Sequence, residues 1–303
     1  MIKKTICFSN PVYLSLKDAQ LVIKMRKSSS EDKPQEITRP IEDIGVVVLE
    51  NRQISITSGV LDALLSNNCA VITCNDRHMP VGLLLPLDGN TIQSERFRFQ
   101  INASLPLRKQ LWQQTIQYKI RNQSAILKQH SDINTKCMDV WANEVRSGDP
   151  DNLEARAAIY YWKNLFGQFQ DFTREREGDC PNNLLNYGYA ILRAVTARAL
   201  VASGMLPTFG IHHHNRYNAY CLADDIMEPY RPFVDRLVYE IIKCYGTDLE
   251  ITKEIKSELL TIPTLDISIN GKRSPLMVGI SQTTSSLYKC FSGELRKIAY
   301  PDL

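Results

Sequence analysis

The segment Leu87-Asp88-Gly89-Asn90-Thr91 separates two parts of the chain that differ in hydrophobic pattern. Asp, Gly and Asn favour turns, so the segment predicts a connection rather than a helix or a strand. Before it, apolar residues occur in short β-branched runs, and after it they recur every three or four positions. The change predicts an α+β protein whose two domains are joined by a linker over residues 87–95.

Residues 1–86 carry the strand signals. Val46-Val47-Val48-Leu49-Glu50 and residues 69–74 are short β-branched runs, while residues 53–57 alternate apolar and polar side chains. A brief helix is expected over residues 60–66, between the strands. We predict a small β-rich N-terminal domain.

The pattern from about Arg96 onward is helical. Residues 107–120 repeat apolar side chains at the spacing of an amphipathic helix, and few strand signals return. A length of 303 residues with 44% apolar side chains is sufficient for two domains. We therefore expect residues 96–303 to form a larger, all-α domain.

Several features predict a soluble, cytoplasmic protein. Pro11 and polar neighbours interrupt any apolar core of a signal peptide, and the most apolar stretch, residues 81–87, is too short to span a bilayer. The eight cysteines include no Cys-x-x-Cys pair typical of a zinc cluster. The net charge of +3 is too small to imply nucleic acid by itself.

The richest chemistry lies in Gly210-Ile211-His212-His213-His214 and in Asp225-Ile226-Met227-Glu228. Asp225 and Glu228 are spaced i, i+3, so on a helix their carboxylates project from one face. A cation between them would relieve their repulsion, and an imidazole could add a nitrogen ligand. The combination predicts a metal site, although either half alone is more often a solvated surface.

Glu154 is a third candidate ligand. Asp149 or Asp151 can cap a helix that starts near Pro150 and continues into an Ala-rich stretch. Glu154 would lie in the first turns of this helix. An acidic residue there can also serve only to complement the helix dipole.

Four motifs together resemble a known family. They are Glu154 within Glu-Ala-x-Ala-Ala-x-x-Tyr-Trp, the segment Pro181-Asn182-Asn183-Leu184-Leu185-Asn186-Tyr187-Gly188-Tyr189, then Gly-Ile-His-His, then Asp-Ile-Met-Glu-Pro-Tyr-Arg-Pro. Their order and spacing are similar to those of the CRISPR-associated adaptation integrases, protein one of the CRISPR-associated set. The motifs span about residues 150–235, and the length and N-terminal character of the chain also agree with the family.

The resemblance implies a set of metal ligands. Carried over by position, they are Glu154, His213 and Glu228, with Asp225 as a supporting carboxylate of the catalytic site. His213 is chosen because it lies three positions after Gly210 and fifteen before Glu228, as in the family pattern. Carboxylates with one imidazole suit Mg²⁺ or Mn²⁺ better than zinc.

The resemblance also implies an activity and partners. The family is a metal-dependent DNA endonuclease and integrase that inserts captured spacer DNA into a CRISPR repeat by 3′-hydroxyl transesterification, as part of antiviral defence. Its members act as homodimers with a small ferredoxin-like partner, CRISPR-associated protein two. The length and motifs look like those of type II systems.

Clustered basic residues are candidates for contact with DNA phosphates. Among the Lys/Arg pairs of the helical part, we select Arg174 with Arg176 and Lys272 with Arg273. The first pair lies between Glu154 and His213 in the sequence. The pattern does not indicate which pair faces DNA.

Two other functions remain compatible with the residues. The chain could be a zinc-dependent hydrolase that uses His212 and His214 with Asp224. It could also be a non-catalytic DNA-binding subunit, in which Asp225 and Glu228 only brace Arg231. Metal titration and the separate replacement of the three histidines distinguish these functions from the integrase.

Overall fold

The structure is a computed structural model that describes residues 3–25, 36–131, 133–167, 169, 172–175 and 178–303. The chain divides into two compact units, residues 1–91 and 92–303. The division falls inside the segment 87–95 that the sequence pattern assigns to a linker. The first helix of the second unit begins at Gln93, earlier than the expected start of the helical part at residue 96.

The first unit is rich in strands. In its described part the elements are β1 Lys4–Phe8, β2 Val12–Lys17, β3 Gln20–Met25, β4 Glu36–Pro40, β5 Ile44–Leu49, β6 Ser55–Ile56, α1 Ser58–Ser66, β7 Ala70–Cys74 and β8 Pro80–Leu84. One sheet has the order β1-β5-β7-β8, with β8 antiparallel to β7 and the other pairs parallel. The second sheet has the order β4-β3-β2-β6. The predicted β-rich domain is confirmed.

Both sheets and α1 contribute to one hydrophobic core in this unit. Val47 and Val71 come from the first sheet, Leu14 and Leu21 from the second, and Leu64 from α1. In β5 the successive residues 46–48 are all fully buried. Burial on both faces explains why this strand is a continuous apolar run rather than an alternating one.

The second unit is mainly helical. Its elements are α2 Gln93–Ile101, α3 Leu105–His130, α4 Lys136–Glu144, α5 Leu153–Leu165, α6 Asn182–Ala202, α7 Cys221–Met227, α8 Arg231–Tyr245, α9 Lys253–Leu259, β9 Asp266–Ile269, β10 Lys272–Pro275, α10 Leu276–Phe291 and β11 Pro301–Asp302. None of the helices in the described part of the chain combines the length and apolarity needed to cross a membrane.

Helix α3 is the longest helix among these elements, with 26 residues. The Ser104 hydroxyl accepts a hydrogen bond from the Leu107 backbone N–H, and Pro106 lies in the first turn, so the start combines two helix-initiating features. Trp112, Ile116 and Ile120 are buried at the predicted helical spacing. Helix α3 thus brings one long face to the interior of the unit.

The expectation of an all-α second domain is incomplete. Strands β10, β9 and β11 form a three-stranded antiparallel sheet in this order. They have only two to four residues each, too few to produce a periodic signal. The β9–β10 hairpin does carry a local signal, because Asn270-Gly271 has positive φ at both positions, as a two-residue hairpin turn requires.

Candidate metal centre

Glu154 is positioned by the capped start of α5. The Asp149 carboxylate accepts hydrogen bonds from the backbone N–H groups of Leu153 and Glu154, both at 3.0 Å. Asp149 therefore satisfies the first free donors of the helix, as the sequence suggested, while Asp151 pairs with Arg146 instead. The helix starts at Leu153 rather than near Pro150, because Asn152 has a left-handed φ of 52°.

Glu228 is positioned by a buried turn between α7 and α8. It begins the 3₁₀ turn Glu228–Tyr230. The side-chain amide of Asn122 on α3 donates to the Pro229 carbonyl at 2.8 Å, and the Tyr230 hydroxyl lies 2.6 Å from the Thr283 hydroxyl on α10. These contacts hold the turn between α3 and α10. The backbone from which the Glu228 side chain projects is therefore fixed.

Lys119 joins the two carboxylates. Its Nζ lies 2.7 Å from Glu154 Oε1 and 2.7 Å from Glu228 Oε2. The Lys119 side chain is only 12% exposed. Burial disfavours the ammonium, but Glu228 and Glu154 outweigh it and raise the pKa of Lys119 above its ordinary value. Carboxylates from α5 and from the 3₁₀ turn therefore converge on one cation.

A second cation also contacts Glu228. Arg231 Nε lies 3.0 Å from Glu228 Oε1. Burial opposes ionisation of Glu228, but the charges of Arg231 and Lys119 prevail and hold the pKa of Glu228 below its ordinary value. The buried Oε2 nevertheless has no hydrogen bond of acceptable geometry, although the Lys119 ammonium is close to it. This oxygen is the kind of acceptor that a bound cation can satisfy.

His213 is oriented by Asp225. Its Nδ1 lies 2.5 Å from Asp225 Oδ1, and the backbone N–H groups of His212 and His213 donate to the same carboxylate at 2.9 and 3.3 Å. The bond to Asp225 raises the pKa of His213 against the opposing effect of burial, and Glu228 and Glu154 raise it further. Because Nδ1 is engaged by a carboxylate, Nε2 is the nitrogen left for a metal.

The loop carrying His213 approaches α7 closely at Gly210. A Cβ at this position would lie 2.7 Å from Asp225 Oδ2 and 2.4 Å from the His213 carbonyl oxygen. Only glycine fits there without displacing the contacts of Asp225. The Trp112 ring stacks on His212 at a centroid distance of 4.1 Å and meets His213 edge-on at 5.5 Å. The loop is thereby attached to α3 as well.

The donor set fits a divalent ion, although no three His, Cys, Asp or Glu side chains in the described residues converge closely enough to hold one as they stand. The Lys119 ammonium lies between Glu154 and Glu228 and occupies the gap between their oxygens. Spacing alone suggested a cation between Asp225 and Glu228. In the structure, Asp225 instead contacts the His213 ring, and the cation that lies between two carboxylates is the Lys119 ammonium, between Glu154 and Glu228.

Comparison with known proteins gives the family. Residues 6–250 match the sequence profile of the family described as CRISPR associated protein Cas1. The chain belongs to the Cas1 family. It is 36% identical over 287 residues to the CRISPR-associated endonuclease Cas1 of Neisseria meningitidis serogroup C, with 94% of this chain and 91% of that protein covered.

Solved structures show the same fold as this Cas1-family chain. A casposase bound to integration product superposes with a TM-score of 0.80 at 21% identity and covers 98% of this chain and 92% of that one. A Cas6-RT-Cas1–Cas2 complex gives a TM-score of 0.71 at 18% identity over 97% of this chain and 35% of that chain. The whole chain therefore has the Cas1 fold.

Two residues of the alternative zinc site, His212 and Asp224, have other partners in this Cas1-family chain. The Asp224 carboxylate is engaged by the Arg193 guanidinium, at 2.6 and 3.0 Å, and by the Asn218 amide at 2.7 Å. The ring of His212 stacks on Trp112. Asp224 and His212 thus have other partners, and the alternative of a zinc hydrolase on these residues gains no support from the structure.

The predicted DNA contacts have different surroundings. The Arg174 guanidinium donates to Asn182 Oδ1 at 2.9 Å and to Asn186 Oδ1 at 2.6 Å. Arg176 lies outside the described residues. Lys272 and Arg273 are exposed on β10, where Arg273 pairs with Asp266 at 2.9 Å. The exposed side chains of β10 are thus more available to a phosphate than Arg174.

Sequence reasoning did not assign Lys119, Asn122 or Arg193 to the metal site. Lys119 and Asn122 follow Trp112 on α3 at helical spacing, so a lysine and an asparagine occur on a largely buried face. Buried polar residues need partners, so their position on this face was the sequence signal that could have indicated contacts inside the protein. Arg193 had no comparable signal, because its partner Asp224 is 31 residues away in sequence.

Proposed function

We propose that this chain is a metal-dependent DNA endonuclease and integrase that inserts captured spacer DNA into a CRISPR array. The observation that carries the proposal is the convergence of Glu154 and Glu228 on one cation position, with His213 held beside them by Asp225. These are the residues that the resemblance to the family implies as ligands. Family membership supports the same activity.

The residues suit Mg²⁺ or Mn²⁺. Glu154 and Glu228 would supply oxygen ligands and His213 a nitrogen ligand, a combination that tilts the preference towards Mn²⁺. When bound, the ion would lower the pKa of the attacking hydroxyl and neutralise charge on the phosphorus in the transition state. Asp225 fixes the imidazole so that Nδ1 does not turn towards the ligands.

The reaction is a phosphodiester exchange. The 3′-oxygen of the captured DNA forms a new bond to phosphorus at the edge of the repeat, and the bond from phosphorus to the departing repeat-strand oxygen breaks. The hydroxyl proton of the nucleophile ends on the departing oxygen, through solvent. The number of phosphodiester bonds is unchanged, so the exchange needs no external energy source.

The proposed partners are DNA, a second copy of the chain, and the small ferredoxin-like CRISPR-associated protein two. Support comes from two proteins with this fold, one bound to an integration product and one in a complex with Cas2. We place the reaction in the cytoplasm, where spacer capture serves antiviral defence. In the alternative of a non-catalytic subunit, Glu228 would only brace Arg231, a contact that does exist at 3.0 Å.

A strand-transfer assay tests the proposal. A supercoiled plasmid carrying the repeat is incubated with a short DNA duplex, Mn²⁺ or Mg²⁺, and the protein with and without its partner. Glu154→Ala and His213→Ala should abolish joined product, because each removes a metal ligand. His214→Ala is the matched control, since its exposed neighbouring ring has no counterpart in the family pattern, and it should keep most of the activity.

Two outcomes would contradict the proposal. Wild-type activity in Glu154→Ala or His213→Ala would remove that residue from the ligand set. Strand transfer that persists in excess chelator would show that the reaction needs no metal, and the acidic residues would then have only a structural role.

A further inference from the structure

Lys119 occupies the space between two proposed metal ligands. Its ammonium nitrogen is 2.7 Å from an oxygen of each carboxylate. A divalent ion that uses the same oxygens lies at about 2.1 Å from each of them, so it needs the same gap. The ammonium and the ion cannot share these oxygens.

The local charges also favour exchange of one cation for the other. Lys119 contacts the carboxylates of Glu154 and Glu228, Arg231 contacts Glu228 as well, and His213 pairs with Asp225. Adding a divalent ion while the ammonium stays would place two cations at the same pair of oxygens. Loss of the ammonium without a replacement would leave two poorly solvated carboxylates facing each other, which is costly.

Displacement of Lys119 would move a side chain and not a helix. Its backbone lies on α3, which is held by Asn122 and the buried Trp112, whereas its side chain has four flexible carbons. Arg231 is different, because its guanidinium also lies over the Tyr189 ring at 4.6 Å. Of the two cations at Glu228, Lys119 is therefore the one that a metal ion can displace more easily.

We propose that Lys119 is an internal counter-cation that holds Glu154 and Glu228 together in the metal-free protein and is displaced when the divalent ion binds. The inference rests on the proposed metal-dependent function. It makes Lys119 a positioning residue that sets the metal concentration at which the site fills. It also explains how two nearby carboxylates remain in place before metal arrives.

Metal titration of Lys119→Met tests the displacement. Methionine keeps the length and apolar stem of the side chain but removes the charge. Chelator-treated wild type and variant are titrated with Mn²⁺ by calorimetry, and thermal unfolding is followed with and without Mn²⁺. We expect Mn²⁺ to bind the variant roughly ten- to a hundredfold more tightly, because no competitor must leave. The variant should unfold at a lower temperature without metal and gain more from Mn²⁺ than the wild type.

Lys109→Met is the matched control. Lys109 is exposed on the same helix and pairs with no carboxylate in the part of the chain that the structure describes, so its loss should leave Mn²⁺ affinity unchanged. Equal or weaker binding by a folded Lys119→Met, while the wild type binds, would overturn the displacement and leave the metal site standing. Absence of Mn²⁺ binding in every protein would overturn the metal site and the displacement with it.

Lys119→Arg keeps the test decisive if Lys119→Met does not fold. The guanidinium retains the charge, and its planar donors hold carboxylates more firmly than an ammonium. A stronger competitor should weaken Mn²⁺ binding by at least about fivefold. Equal or tighter binding by Lys119→Arg would contradict the displacement.

Discussion

Glu228 and Asp235 are two buried carboxylates, seven residues apart, whose pKa values shift in opposite directions. The charges of Arg231 and Lys119 overcome burial and lower the pKa of Glu228. Burial prevails at Asp235 and raises its pKa to about 7, although hydrogen bonds from Tyr189 and Tyr161 oppose the shift. The nature of the partners, cations in one case and hydroxyls in the other, decides the outcome.

We call Glu228 with Lys119 the Glu228 cluster, and Asp235 with Tyr161 and Tyr189 the Asp235 cluster; Arg231 connects the two. Its Nε contacts Glu228, and its guanidinium lies over the ring of Tyr189, whose hydroxyl donates to Asp235. The Glu228 carboxylate is paired with two cations, Lys119 and Arg231, whereas the Asp235 carboxylate is enclosed by two tyrosine hydroxyls. The first arrangement is suited to exchange of a cation and the second to fixing α5, α6 and α8 to one another.

The largest expected effect separates the clusters by activity. Glu228→Gln should lower the rate of strand transfer by about a thousandfold or more, because an amide is a poor metal ligand and leaves Lys119 and Arg231 unbalanced. Asp235→Asn should keep most of the activity at pH 7, since it touches no proposed ligand. Equal losses in both variants, at equal thermal stability, would mean that the two clusters are not distinct in function.

A smaller effect is expected at Asp225, which acts through His213. Asp225→Asn should weaken Mn²⁺ affinity by roughly 10- to 100-fold, as is typical when the partner of a metal-binding histidine changes. Excess Mn²⁺ should partly restore strand transfer, which a calorimetric titration alongside the assay can follow. If no Mn²⁺ concentration restores any activity, Asp225 is itself a ligand and the site has three carboxylates.

The fold and the proposed ligands could be predicted from the sequence, but the long-range contacts that set the two pKa shifts could not. The strand runs around Val47 and the helical period of α3 predicted both halves of the fold, because local periodicity records burial. The family resemblance selected Glu154, His213 and Glu228. Lys119 and Asp235 could not be matched to their partners, because those contacts join residues 35 to 109 positions apart that share no local pattern.

Stability against pH provides a further test of the Asp235 cluster. The folded-state pKa of about 7 exceeds the ordinary value of 3.8, so the folded protein holds this proton more tightly than the unfolded chain. The resulting stabilisation is complete below about pH 4 and is lost as the pH rises towards about 7. Asp235→Asn cannot titrate, so its free energy of unfolding should fall less between these pH values than that of the wild type. Parallel curves from denaturant titrations would contradict the raised pKa.

The smallest expected effect concerns DNA binding by Arg174, which belongs to the Asp235 cluster through its contact with the Tyr189 ring at 5.4 Å. Because Asn182 and Asn186 already engage its guanidinium, Arg174→Gln should lower thermal stability and leave the salt dependence of DNA binding unchanged. Lys272→Gln, on the exposed strand β10, should instead reduce the slope of log affinity against log salt by about 0.9, the value for one phosphate contact on duplex DNA. Binding of a branched DNA across a salt series decides between them. A reduced slope for Arg174→Gln with unchanged stability would show that this guanidinium leaves its asparagines to bind phosphate, and that the Asp235 cluster extends into the DNA path.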